Sequence, residues 1–354
     1  MRIAIIAITR NGARLGTRLR DGLPEARLFV LQKYAGQAGQ DAELFSGELA
    51  GLVTRLWPEY AGFVFIMATG IVVRMVAPHL AAKDRDPAVV VMDDAGRFAI
   101  SLLAGHLGGA NELACRCAFL TGAREVITTA TDANDLPAFD LLAKGEGWAI
   151  DDLSKVKVLN ALLLDDQPIA VVDPTDRLRS YCHGRGRLSF HDTFVEALQS
   201  GAAGFVFVTN RHLPPQSRAD NLLVLRPRNL ALGIGCNSGT TPEELEEVVT
   251  MQLKRLFLSL KSVGCIGSAT AKQEEEGLLA FAARHGIPLR FFASDELNGV
   301  AVPSPPSRHA LEAIGAAGVA EPAAVLAADG GRLLLKKIKS GNVTLAIAEL
   351  GAGP

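Results

Sequence analysis

The chain has 354 residues, of which 49% are apolar, and its 36 basic against 38 acidic side chains leave a formal net charge of −2. That balance argues against nucleic acid or an anionic membrane as a partner, and the length allows two or three separate cores. Its five cysteines, Cys115, Cys117, Cys182, Cys236 and Cys265, make no paired CxxC zinc pattern and no even disulfide framework, so reduced thiols in a cytoplasmic protein are expected.

The opening MRIAIIAITRNGARLG carries too short an apolar run for a signal peptide and reads as a first strand, RIAIIAIT, followed by a helix over NGARLGTRLRDGL. ARLFVLQK, FVFIMAT, AVVVMDD, FAISLLAG and EVITTAT read as further short strands, with helices at IVVRMVAPHLA and ANELACRCAFLTGA. Arg74, Pro78 and glycines break the apolar runs before membrane-spanning length. Strands alternating with helices predict a mostly parallel sheet covered on both faces. Residues 136–225 read as a smaller α/β domain with a polar insertion, PTDRLRSYCHGRGRLSFHD, and LVLRPRNL (223–230) reads as a linker. A third domain, 226–354, opens on the strand LALGIGC and a glycine-bearing turn, NSG. TTPEELEEVV then has the cap and the early proline of a helix start, and VGCIGSA and PLRFFA read as strands around a helix at EEEGLLAFAARHG. RLLLKKIKSGNVTLAIAEL closes the chain as a hairpin through Ser340-Gly341-Asn342. The expected class is therefore a multi-domain α/β protein.

Within the first domain (1–135), three strand-following loops carry small or polar residues: ATGIVVR (68–74), AGHLGGAN (104–111) and TTATDAND (128–135). Ligands of open α/β sheets sit beyond the carboxyl ends of strands, so these loops are expected to face one pocket. Gly105, Gly108 and Gly109 permit close approach of a ligand to the main chain, and free amides at the following helix start would offer an anion site. His106 titrates near neutrality and suits acid–base work, with Asn111 and Glu112 just behind it. The same spacing also fits a plain tight turn. Thr69 and Gly70 open a helix carrying Arg74, and the run KDRDP places Lys83 and Asp84 before a strand, a pattern that usually marks a solvated surface. Thr129, Thr131 and Asp132 would either orient His106 or simply cap the next segment. No G-x-S-x-G elbow, Walker sequence or HExxH helix occurs, which lowers serine-hydrolase, NTPase and zinc-protease readings. The remaining histidines show no ligand spacing, so no metal site is expected.

IMATGIVVRMVAP, KDRDPAVVVMDDAGRFAISLLAGHLGGANELA and VITTATDAND together closely resemble the cobalt-precorrin-5A hydrolase family of anaerobic cobalamin biosynthesis, CbiG. LALGIGCNSGTTPEELEEVV, KQEEEGLLAFA and VAEPAAVLAA resemble that family's third domain, itself similar to a stand-alone tetrapyrrole-binding protein. The chain departs from the family pattern at Ala104, where serine is expected, and at Asn237-Ser238, where a basic turn is expected.

The resemblance implies a reaction. Water opens a δ-lactone on a cobalt-bearing macrocycle, and a two-carbon piece leaves as acetaldehyde to give cobalt-precorrin-5B. The cobalt arrives inside the substrate, so no cofactor is expected. In this reading His106 is the general base on water, with Asp132 or Glu112 orienting it, and the amides around Gly108 and Gly109 with Asn111 hold the lactone oxygen. Arg74 and Lys83 bind acetate and propionate side chains. Thr69, Gly70, Asp84, Gly105, Thr129, Thr131, Gly235 and Cys236 complete the expected substrate contacts. The partner is then a corrinoid small molecule, with neither nucleic acid nor membrane, a possible homodimer and transient contacts with neighbouring pathway enzymes. The competing class is a non-catalytic carrier of corrinoid intermediates.

Overall fold

A computed structural model describes residues 1–82, 85–213 and 220–351. The expected α/β class is what it shows: three mostly parallel sheets flanked by helices, the last ending in a hairpin. The chain divides into two compact units, residues 1–141 and 142–354. Among the described residues, no helix is long and apolar enough to cross a membrane.

The first unit is built on one seven-stranded sheet. Its strands are β1 (Ile3–Ala7), β2 (Ala26–Leu31), β3 (Glu43–Phe45), β4 (Gly62–Ile66), β5 (Ala88–Met92), β6 (Phe98–Leu103) and β7 (Arg124–Val126), in the order β3-β2-β1-β4-β5-β6-β7. β1, β4 and β5 are buried along their whole length, as near-continuous apolar runs covered on both faces must be. Their alternate residues feed two cores. Ile5, Val64 and Val90 pack with the helices α1 (Arg10–Gly22) and, beyond β6, α4 (Ala110–Thr121). Ile6, Phe65 and Val91 pack with α2 (Leu49–Leu56) and α3 (Thr69–Val76) on the opposite face. Two short helices close the region, α5 (Ala130–Ala133) and α6 (Phe139–Gly145). The expected strand EVITTAT shrinks to β7, because Thr129 already leads into α5.

One strand breaks the parallel pattern. β6 pairs antiparallel with β5, Leu103 lying opposite Val89 and Ala99 opposite Met92. β7 then pairs parallel with β6. The carboxyl ends of β6 and β7 therefore lie at one edge of the sheet, and those of β1, β4 and β5 at the other. A tight turn at Gly96 (φ +64°) makes the reversal possible, with Asp93 accepting hydrogen bonds from the amides of Arg97 and Phe98.

The second unit carries two five-stranded sheets. The first joins β8 (Ala149–Ile150), β9 (Ile169–Val172), β10 (Leu188–Phe190), β11 (Gly204–Val208) and β12 (Leu222–Arg226) in the order β10-β9-β11-β12-β8. Half of the expected linker LVLRPRNL is thus a strand inside this sheet. Arg226, read from sequence as a linker charge, is 2% exposed. Its guanidinium donates to the carbonyls of Thr209 and Arg211 and, at 2.6 Å, to Asp151.

The second sheet joins β13 (Leu230–Cys236), β14 (Val263–Ala269), β15 (Leu289–Phe292), β16 (Arg332–Ser340) and β17 (Val343–Glu349) in the order β15-β14-β13-β17-β16. Helices α7 (Pro242–Arg255) and α8 (Glu276–His285) pack on one face. The other face takes α9 (Ala320–Ala327), whose Ala320, Ala323, Ala324 and Ala327 are buried against it. Small residues bring this helix so close that a Cβ on Gly233 would stand 1.8 Å from the Ala320 carbonyl oxygen. Overpacking of that kind forces backbone shifts costing about 1–3 kcal/mol or more. Gly233→Ala is accordingly expected to lower the urea midpoint of the C-terminal unit, followed by circular dichroism; an unchanged midpoint would contradict this packing.

Candidate functional site

After β6 the chain reverses on a compact loop. Ala104 takes a left-handed φ of +54° and Gly109 one of +90°, which caps α4. Gly108 lies so close beneath Ala104 that a Cβ there would sit 2.3 Å from the alanine Cβ. The loop holds itself through its own amides. Gly109 N–H donates to the His106 carbonyl, Ala110 N–H to that of Ala104, and Asn111 N–H to that of Gly105, at 2.9, 3.1 and 3.0 Å. Those three amides of the expected anion nest, Gly109 among them, are thereby occupied by loop carbonyls.

What the loop does present is a side-chain cluster. His106 is 4% exposed. Its Nε2 lies 2.7 Å from Asp132 Oδ2 and 3.3 Å from Thr131 Oγ1. Its Nδ1 faces Asp140 Oδ2 at 3.6 Å, an ion-pair separation just beyond hydrogen-bond length. Asn111 fixes the arrangement from behind. Its Nδ2 donates to Thr129 Oγ1 and to Asp132 Oδ2, both at 3.1 Å, and its Oδ1 accepts from Ser101 Oγ at 2.6 Å. With both ends of its amide engaged, Asn111 is a brace for Asp132 rather than a hand for substrate. The side chain of Asp132 is 35% exposed, whereas that of Asp140 is 6% exposed.

Two carboxylates around one buried ring favour its charged form. Asp140 raises the His106 pKa most, burial opposes the rise, and Asp132 adds to it, so the ring titrates above the ordinary ~6.5. A raised folded-state value means that the charged ring's contribution to stability is complete below pH about 6.5 and is lost as pH rises through the folded value.

The structure gathers His106, Asp132, Thr129, Thr131, Asn111, Gly105, Gly108 and Gly109 at one sheet edge. It does not gather the rest. Thr69 and Gly70 follow β4 and lie at the opposite edge, because β6 runs against β4 and β5. The expectation of three loops at one edge is therefore corrected to two. Arg74 is exposed in the last turn of α3. Glu112 is exposed in the first turn of α4, and the second carboxylate on His106 is Asp140 in its place. Lys83 and Asp84 lie outside the described residues. Sequence reading missed Asp140, which lies past the expected boundary at 135 yet belongs to the first unit. Its signal was an aspartate set among apolar neighbours in PAFDLLA.

Gly235 and Cys236 lie in the second unit, at the end of β13, where they line a cavity of about 910 Å³. Lys272, Lys337, Lys339 and His309 also line it. Its wall is tied by Glu321, 2% exposed, which accepts hydrogen bonds from the amides of Ser304 and Lys337 and from Ser304 Oγ. Burial pushes the Cys236 thiol above its ordinary range, so it is a neutral thiol at neutral pH.

Fold and site together define a multi-sheet α/β protein with a histidine–dicarboxylate cluster in one unit and a lysine-rimmed cavity in the other. Residues 51–132, 137–227 and 230–348 match the family models described as cobalamin synthesis G N-terminal, cobalamin biosynthesis central region and cobalamin synthesis G C-terminus. The chain belongs to the cobalamin synthesis G family. It is 35% identical over 353 residues to a cobalt-precorrin-5A hydrolase from Priestia megaterium, covering 98% of this chain and 94% of that one. Identity to the cobalt-precorrin-5A hydrolase of Salmonella typhimurium is 32% over 349 residues, 98% of this chain and 97% of that one. A shorter match, 32% over 123 residues, is to protein CobE of a Sinorhizobium species, covering 34% of this chain and 79% of that protein.

The geometry predicts that His106 ring resonances, followed by NMR across pH, titrate above the ordinary value of about 6.5. A midpoint at or below about 6.5 would mean that the two carboxylates do not face the ring in solution.

Proposed function

We propose that this protein is a cobalt-precorrin-5A hydrolase, which opens the δ-lactone of its corrinoid substrate with water and releases acetaldehyde to give cobalt-precorrin-5B. The observation that carries the reading is the buried His106 ring locked to a part-exposed Asp132 at 2.7 Å. The names of the two full-length relatives support it. The reaction moves protons twice: off the attacking water, then off the hydroxyl freed when the lactone opens, as its carbon–carbon bond to the macrocycle breaks. A histidine–carboxylate pair is the chemistry for both transfers. The electron pair of the broken bond stays on the macrocycle, so the reading requires no redox cofactor, and cobalt enters as part of the substrate.

The second unit holds a cavity that, taken by itself, suits a macrocycle. A cavity of about 910 Å³ with lysines on its wall and small residues such as Gly235 on its floor suits a large, flat, carboxylate-bearing molecule. The same cavity favours a second reading, a carrier that holds corrinoid intermediates without chemistry. Purified protein mixed with cobalt-precorrin-5A separates the two, since only the hydrolase releases acetaldehyde.

Two variants follow. His106→Ala is expected to bind the corrinoid normally and to release acetaldehyde at least about 100-fold more slowly; near-normal turnover would remove the ring from the mechanism. Gly235→Leu projects a side chain into the cavity, because even the nearest atoms to a Cβ there, on Val319 and Thr344, stand at an ordinary 3.5–3.8 Å. It is expected to raise KM with kcat little changed, and a fall in kcat alone would place the substrate elsewhere.

A further inference from the structure

Both nitrogens of the His106 ring face carboxylates, and the ring itself is 3% exposed at its side chain. A general base must offer a lone pair to water, and this ring has none to offer. The atom of the cluster that does reach outward belongs to Asp132. Its Oδ2 is taken by His106 and Asn111, while its Oδ1 carries no protein hydrogen bond among the described residues. Behind the ring, Asp140 is buried and its Oδ1 accepts no hydrogen bond among the described residues. A carboxylate in that position is costly unless a cation stands against it. The imidazolium of His106 is that cation.

We propose that Asp132 is the catalytic residue that exchanges protons with water and substrate, and that Asp140 is a positioning residue that holds His106 behind it as a paired cation. The pairing explains why the cluster needs two carboxylates. A cation beside Asp132 alone would leave it a poor base. With Asp140 ionised, that positive charge is already balanced, the cluster carries one negative charge over, and a proton taken by Asp132 leaves it neutral. The charged or titratable groups on the elements around the ring are Asp132 on α5, Asp140 and Lys144 on α6, and Glu112, Cys115, Arg116 and Cys117 on α4; of these, among the described residues, the two aspartates are the ones within ion-pair distance of it.

The assignment rests on the lactone-opening reading above, and the steps balance with this one carboxylate. Water adds to the lactone carbonyl as Asp132 Oδ1 takes its proton. The acyl carbon–oxygen bond breaks, and the proton passes to the departing alkoxide. Asp132 then takes that hydroxyl proton as the carbon–carbon bond breaks. Acetaldehyde leaves, the electron pair goes to the macrocycle, and the proton ends on the macrocycle carbon.

The test uses the full chain, with acetaldehyde release from cobalt-precorrin-5A across pH and NMR titration of His106 in parallel. Asp132→Asn is expected to lose at least about 100-fold in kcat with KM little changed. In Asp140→Asn the His106 ring is expected to lose its proton at lower pH, and the rate profile to move with it. Asp140→Glu, which keeps the charge, is expected to restore part of both. Near-normal kcat in Asp132→Asn would overturn the first assignment. An unmoved His106 titration in a folded Asp140→Asn protein would overturn the second, and if that variant does not fold, a titration in Asp140→Glu identical to that of an uncharged Asp140→Ser would do so. Absence of acetaldehyde from the unaltered protein would sink the lactone-opening reading and Asp132's catalytic part with it, while the NMR comparison still decides the role of Asp140.

Discussion

β6 enters the first sheet against the direction of β5, and the place of the His106 cluster follows from that reversal. Had β6 run parallel, the glycine loop after it would have joined the loops after β1 and β4 at the usual ligand edge. Instead the loop emerges beside the amino ends of β4 and β5, and only β7, parallel to β6, sends its following loop to the same edge. His106 and Asp132, 26 residues apart in the chain, meet because two successive strands point the same way there. Asn111 then converts proximity into fixed geometry, since its side chain is held by Ser101 on β6 and itself holds Thr129 and Asp132.

The loop is rigid for its own sake before it serves any ligand. Its amides close on carbonyls within the loop, and Ala104 and Gly109 take up the positive φ that the reversal demands. A non-glycine residue in that region is uncommon and persists only where its surroundings over-determine it. Around Ala104 they do: its carbonyl accepts from the Ala110 amide, and residue 108 packs so closely beneath it that only glycine fits there. The stored order goes into aiming one imidazole between two carboxylates rather than into cradling an anion with main-chain donors.

Much of this was legible in the residues. The apolar runs of β1, β4 and β5, the alternation of strand and helix, and the closing turn at Gly341-Asn342 all declare themselves by local pattern. So did His106 with Asp132, as polar residues stranded between glycines and threonines. Strand direction did not, because hydrogen-bond partners lie far along the chain and FAISLL reads alike in either sense. That single ambiguity misplaced Thr69 and Gly70. Asp140 escaped for a related reason: its apolar neighbours in PAFDLLA mark it as a buried acid, but the ring it meets lies 34 residues back, at His106. Arg226 misled in the opposite direction, its charge suggesting a surface linker when Asp151 and two carbonyls hold it inside a sheet.

The tie made by Glu321 bears on how the cavity of the second unit can change over evolutionary time. Two of the three hydrogen bonds it accepts come from backbone amides, those of Ser304 and Lys337. Main-chain groups are the same whichever side chain they carry, so the outline of that wall survives substitution at either position. Shape and chemistry are thereby uncoupled. Lysines, serines and prolines facing the interior can be exchanged one at a time, retuning the chemistry of the lining, while the frame of the cavity stays as it was.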